Sequence, residues 1–166
     1  MRTSYKRSTR SLGNGKDVTI DKEMLIRNFE KLADCELELS GKVYDILFER
    51  NPDWLDLFTA HHSAAGRQMV RETLMYAVDH LNAENWVGPN LTSLGKKHVE
   101  YEVDEDMYRV YIETLLLAMA DVSGTEWCPE LESGWSELFE YLSNLMIEEH
   151  QMEAGIANDS RSAAAH

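Results

Sequence analysis

From about residue 22 onward the chain repeats its apolar side chains every three or four positions, and little interrupts the pattern. In "DKEMLIRNFEKLADCEL", Met24, Leu25, Asn28, Leu32 and Cys35 fall on one helical stripe. Only three prolines occur in 166 residues, and no long stretch shows the two-residue alternation of a half-buried strand. An all-α domain is the fold class this pattern predicts.

The helices can be read in order. "SGKVYDILFER" sets Val43, Tyr44, Leu47 and Phe48 on one side, and Pro52 ends it and opens a short helical turn, "PDWLDLF". A long helix over 61–81 carries Met69, Val70, Thr73, Ala77 and Leu81 on its inner face. "ENWVGPN" is expected to break the chain at Gly-Pro. A short helix over 91–99 follows, and then one over 104–122 with Asp104 as its cap. Met107, Val110, Tyr111, Thr114, Leu117 and Ala118 form the inner stripe of that helix. The last helix starts near Pro129, with Leu131, Trp135, Leu138, Leu142 and Leu145 spaced by four and three. Residues 1–18 read as a flexible leader, 19–152 as the single folded domain, and 153–166 as a flexible tail.

With a formal net charge of −14 the chain is a poor partner for nucleic acid. The basic start, "MRTSYKRSTR", lacks the apolar core of a signal peptide, and no apolar run reaches the roughly 20 residues of a membrane span. Cys35 and Cys128 are too few for a disulfide scaffold and are expected to be free thiols. A cytoplasmic location is the default expectation.

One histidine then stands out. In "LTSLGKKHVEYEV", His98 follows two lysines and has no metal-binding neighbour within four residues. A lone imidazole does not make a zinc site, which wants about four ligands or three plus water. It can supply one axial bond to an iron already held by a haem ring. The bland reading is a surface histidine at a helix end.

Three stretches, in order, carry a resemblance. "LFERNPDWLDLF" resembles the run leading to the haem-stacking phenylalanine of the globin family, here Phe58. "LTSLGKKHVEYEV" resembles the run ending in the proximal histidine, here His98. "EWCPELESGWSELFEYLSNLM" resembles the start of the last globin helix. The likeness is to single-domain bacterial and neuroglobin-like haem globins and covers about residues 20–150. It implies a globin fold, helices packed three over three around haem b at crossing angles near 50°.

The resemblance also implies roles. His98 would ligate the iron, with Leu94 offering a carbonyl to its other nitrogen. Lys96 and Lys97 either approach a haem propionate or are simply solvated. Tyr44 matches the distal tyrosine of many bacterial globins and would donate a hydrogen bond to the ligand. Ala65 stands where histidine or glutamine is usual, and it can neither donate nor ligate. Gln68 either swings into the pocket or is solvated. Met69 would form an apolar wall, the alternative being a thioether ligand, and Val103 would line the cofactor. His61 and His62 are read as surface residues, although a one-turn slip would bring His62 toward the iron. Tyr108 matches the proximal tyrosine of flavohaemoglobin-type globins. The carboxylate that accompanies it there falls near His150, beside Glu149.

Three functions remain open. The first is reversible binding of O2, or of NO or CO, for storage, delivery or sensing. The second is a haem enzyme, a nitric oxide dioxygenase or peroxidase, re-reduced by an external reductase, since the stretch after the last helix is too short to encode one. The third is a globin-fold interaction module without haem, which the presence of both His98 and Phe58 argues against. Oligomeric state is not legible.

Overall fold

The computed structural model describes residues 21–59, 62–85 and 87–163; side chains are described for these except 59, 62–65, 149–150 and 152–163. The expected leader, His61, and the side chains of His62, Ala65, Glu149 and His150 therefore lie outside the described residues. Seven α-helices follow one another among the described residues: α1 (Lys22–Asp34), α2 (Glu36–Arg50), α3 (Leu55–Thr59), α4 (His62–Leu81), α5 (Val87–Glu100), α6 (Glu105–Ser123) and α7 (Pro129–Ala163). Short 3-10 turns at Pro52–Trp54 and Gly124–Glu126 lead into α3 and toward α7.

The helix starts follow from local chemistry. Asp21 accepts a hydrogen bond from the Met24 amide at 3.0 Å, and Asp104 accepts one from the Met107 amide at 2.8 Å. Each cap satisfies an amide that the helix itself leaves without a partner. The stops of α4 and α5 share another device. Ala83 and Glu102 adopt left-handed backbone, φ 59° and 57°. The next amides reach back five residues, Glu84 to the Asp79 carbonyl and Val103 to the His98 carbonyl, both at 3.0 Å. This is a Schellman stop built without glycine, at a cost of about 1–2 kcal/mol for each left-handed residue.

Packing arranges α1, α4 and α5 over α2, α6 and α7. Neighbours within each layer touch, and the broadest contacts are α5 on α7, α2 on α6 and α6 on α7. This is the three-over-three globin fold. The core includes Leu25, Leu32, Val43, Leu47, Val70, Ala77, Leu115, Met119, Trp135 and Leu138, all essentially removed from water. One polar knot crosses it. The Trp135 indole N–H donates to Asn28 Oδ1 at 3.0 Å, and Asn28 Nδ2 donates to Ser123 Oγ at 2.9 Å. Asn28 sits on an apolar stripe because it joins α1, α6 and α7, with each buried polar group paired. Lys42 and Asp121 form an ion pair between α2 and α6 on the surface.

The observed elements depart from the sequence expectation in four places. Gly88 and Pro89 open α5 instead of breaking the chain, because first-turn amides have no helical acceptor and proline costs nothing there. The break lies just before, at 82–85. The second helix begins at Glu36, so only Cys35 separates it from α1. Leu117 is 44% exposed, since it lies two residues, about 200° of helix rotation, from the fully buried Leu115. Finally, α7 continues to Ala163, so 153–163 is helical where a flexible tail was expected. No proline lies in that stretch, and an α-helix satisfies its own backbone there.

Candidate functional site

Between the two layers lies a cavity of about 860 Å³. That is within the range of small-molecule and cofactor sites, roughly 300–1,000 Å³. Its wall brings together Tyr44, Phe58, Gln68, Met69, Leu94, His98, Val103 and Tyr108, which are far apart in sequence. Helix α4 forms one side and α5 with the start of α6 the other. Leu91, Ile112, Phe139, Leu142 and Met146 make the floor apolar.

His98 is held by its own helix. Its Nδ1 lies 2.8 Å from the Leu94 carbonyl oxygen one turn earlier. The carbonyl can only accept, so Nδ1 carries the proton in that bond and Nε2 is left with its lone pair. The Tyr108 ring stacks on the imidazole, with centroids 5.6 Å apart and planes 30° apart. Burial pushes the Tyr108 phenol up to about 12, so it remains neutral across the physiological range. Val103 reaches the wall because the stop of α5 folds its amide back onto His98.

Across the cavity, Tyr44, Phe48 and Phe58 form a three-ring cluster with centroid separations of 5.5–5.6 Å. Phe58 stands on the wall as an edge-on partner of Tyr44. The Tyr44 hydroxyl, expected to point at a ligand, donates instead to the Gly66 carbonyl at 3.0 Å. Glycine is what permits that approach. A Cβ at residue 66 would lie 2.8 Å from the Tyr44 ring. Gln68 is exposed and donates to Glu72 Oε1 at 2.7 Å, so it takes the solvated of its two expected positions. Met69 is half-buried on the wall, and its carbonyl accepts the Thr73 hydroxyl at 2.8 Å.

Among the lining residues, sequence reasoning gave no site role to Arg67 or Tyr111. Arg67 and Lys97, the latter expected either near a propionate or in solvent, place cations on the lining. Tyr111, read only as part of an apolar stripe, puts its Oη into buried space with no partner of hydrogen-bond geometry among the described residues. Burial raises its pKa far above the ordinary phenol value, the nearby Tyr44 adds to the rise, and Thr73 tempers it. The Thr73 hydroxyl hydrogen, however, is committed to Met69. A phenol tip three residues after Tyr108 was the signal available in the sequence.

An all-helical sandwich closed around an apolar cavity, with one histidine pinned on the wall, defines a cofactor-pocket protein. Comparison with known proteins sets the family. The globin family model matches residues 41–146, well over half of the chain. The chain belongs to the globin family. A flavohemoprotein of Halalkalibacterium halodurans is 24% identical over 70% of this chain and 29% of its own length. One of Chromobacterium violaceum is 27% identical over 75% of this chain and 31% of its own. The chain thus spans about three tenths of the curated relatives it matches. A solved structure, an engineered carbene transferase described as a putative nitric oxide dioxygenase from Rhodothermus marinus, superposes with a TM-score of 0.70 at 20% identity. It covers 82% of this chain and 95% of its own.

Globin membership implies haem, and the residues present fit it. The wall is mainly apolar, as a porphyrin face requires. His98 offers one neutral nitrogen with its partner nitrogen already bonded, the arrangement that orients a metal-bound imidazole. Among the described residues no cluster of three or more His, Cys, Asp or Glu forms a competing metal site. Among them, too, no helix is long and apolar enough to cross a membrane.

Proposed function

We propose that this globin binds a diatomic gas, O2 first and NO or CO as alternatives, at haem b held by His98. The carrying observation is the 2.8 Å bond from His98 Nδ1 to the Leu94 carbonyl at the wall of the cavity. It fixes the tautomer that leaves Nε2 for an axial bond. When bound, haem supplies the iron that takes the gas. The chain's own residues do the rest. Tyr108 packs the imidazole in place, Phe58 and Met69 would present apolar surface to the macrocycle, and Arg67 and Lys97 would offer cations to its propionates. A buried tyrosine on the lining would supply a neutral donor to steady charge on a polar gas ligand. Residue 65, where the resemblance expects histidine or glutamine, is alanine and cannot bind iron, which supports a reduced form with His98 as its protein ligand.

The kinship with flavohemoproteins supports a second reading, turnover of O2 and nitric oxide as a dioxygenase. The stacked His98–Tyr108 pair matches the proximal tyrosine expected of that class. In that reading electrons come from an external reductase, and the chemistry would be cytoplasmic.

Reconstitution with haemin tests the proposal. The parent chain should give a strong Soret band, a five-coordinate ferrous spectrum and distinct O2 and CO spectra. His98→Ala should lose stable haem uptake. An unchanged ferrous spectrum in that variant would remove His98 from its role, and a six-coordinate ferrous parent would point to His62 instead. NO-dependent nitrate formation with an added reductase separates the second reading from the first.

A further inference from the structure

Resting on the gas-binding reading, we infer that Tyr111 is the hydrogen-bond donor that steadies the gas ligand, with Tyr44 serving as its wall. Three features of the cavity lead there. The Tyr111 hydroxyl is buried on the cavity lining and has no partner of hydrogen-bond geometry among the described residues. The Tyr44 hydroxyl hydrogen is already used by the Gly66 carbonyl. A third hydroxyl beside it, on Thr73, spends its own hydrogen on the Met69 carbonyl and has none to give a ligand.

A buried phenol without a partner costs roughly a hydrogen bond's worth of desolvation and gives the empty fold nothing back. Such a group is explained when a ligand completes it. Its chemistry selects the ligand. The phenol is held neutral by burial, so it donates one hydrogen and carries no charge that would attract an anion. A ligand with partial negative charge on its outer atom, such as O2, gains from that donor. A nearly neutral one, such as CO, gains much less. Tyr111 therefore discriminates between gases, and Tyr44 would contribute only by giving up Gly66.

The test compares the parent, Tyr111→Phe and Tyr44→Phe, each as the full chain reconstituted with haemin and reduced. Tyr111→Phe should release O2 roughly ten- to a hundredfold faster, the range expected for a hydrogen bond to a charged acceptor. CO release should change far less, and the C–O stretch of the CO form should rise as the donor is lost. Tyr44→Phe should move O2 release by less than Tyr111→Phe does. The haem-free chain gives a readout independent of the cofactor. Because the hydroxyl is unpaired in the fold, Tyr111→Phe should melt at the parent temperature or above it. A lower melting temperature would mean that the hydroxyl is paired within the fold, and that overturns the inference. So does haem-loaded Tyr111→Phe with parental O2 release and C–O stretch. A parent that takes up no haem would instead defeat the gas-binding reading itself.

Discussion

Gly95 of α5 meets α7 so closely that a Cβ there would lie 2.8 Å from the Met146 carbonyl oxygen and 3.3 Å from its Cα. Both atoms are backbone, so nothing can rotate aside. The glycine sits between Leu94 and His98 in sequence, and the closeness of this crossing sets where α5 presents its imidazole.

Gly95→Ala should therefore be destabilising although alanine is the better helix former. The propensity gain is about 1 kcal/mol at most, whereas forcing two packed backbones apart costs typically about 1–3 kcal/mol. A lower denaturant midpoint is expected, together with weaker haem retention because His98 shifts with its helix. A midpoint equal to the parent's would show that α5 and α7 can move apart at this crossing without cost.

What the sequence made legible divides along physical lines. The stripes of α1, α2, α4 and α7 were readable because burial repeats at the helical period. Leu25, Val43, Val70 and Trp135 are all buried where the stripes put them. His98 could be singled out from the local run "LGKKH", and it lines the cavity. The errors lie where local rules compete. Gly-Pro reads as a break from either side of a helix boundary, and only the fold shows it opening α5. The partner of Tyr44 was illegible because it depends on a contact across 22 residues with Gly66, set by how α4 lies on α2. Tyr111 went unnoticed for a related reason. A tyrosine on an apolar stripe looks like core until each hydroxyl around it is accounted for.

Alkaline titration provides a second check. In the haem-free chain, absorbance should show Tyr44, Tyr108 and Tyr111 ionising above the ordinary phenol value, all held up first by burial. The sign of the linked stability follows. For Tyr108 the phenol rises from 10.0 unfolded to about 12 folded. In that window the folded chain keeps a proton that the unfolded chain has lost. Stability is then unaffected below pH 10 and falls as pH rises through about 12. Tyr108→Phe should flatten that slope in melting curves taken across the window. A slope identical to the parent's would mean that the Tyr108 phenol is solvated.

Gly66 offers the mirror image of Gly95. A Cβ there would also approach a neighbour to 2.8 Å, yet that neighbour is the ring of Tyr44, at Cε2 and Cζ, with the hydroxyl oxygen at 3.1 Å. A ring can move where a backbone cannot. Gly66→Ala should push the tyrosine away and break its bond to the Gly66 carbonyl, a loss of about 1 kcal/mol. The helix-propensity gain of about 1 kcal/mol offsets it, so the melting temperature should stay near the parent's. The site, by contrast, should change. The Tyr44 hydroxyl, released from Gly66, becomes a second donor facing the cavity beside Tyr111. O2 should then leave the reconstituted Gly66→Ala protein more slowly than the parent, and adding Tyr44→Phe should cancel the slowing. Unaltered O2 release in Gly66→Ala would show that the tyrosine has nowhere to turn but outward. Strong destabilisation would show that the ring is wedged by Phe48 and Phe58 and cannot yield.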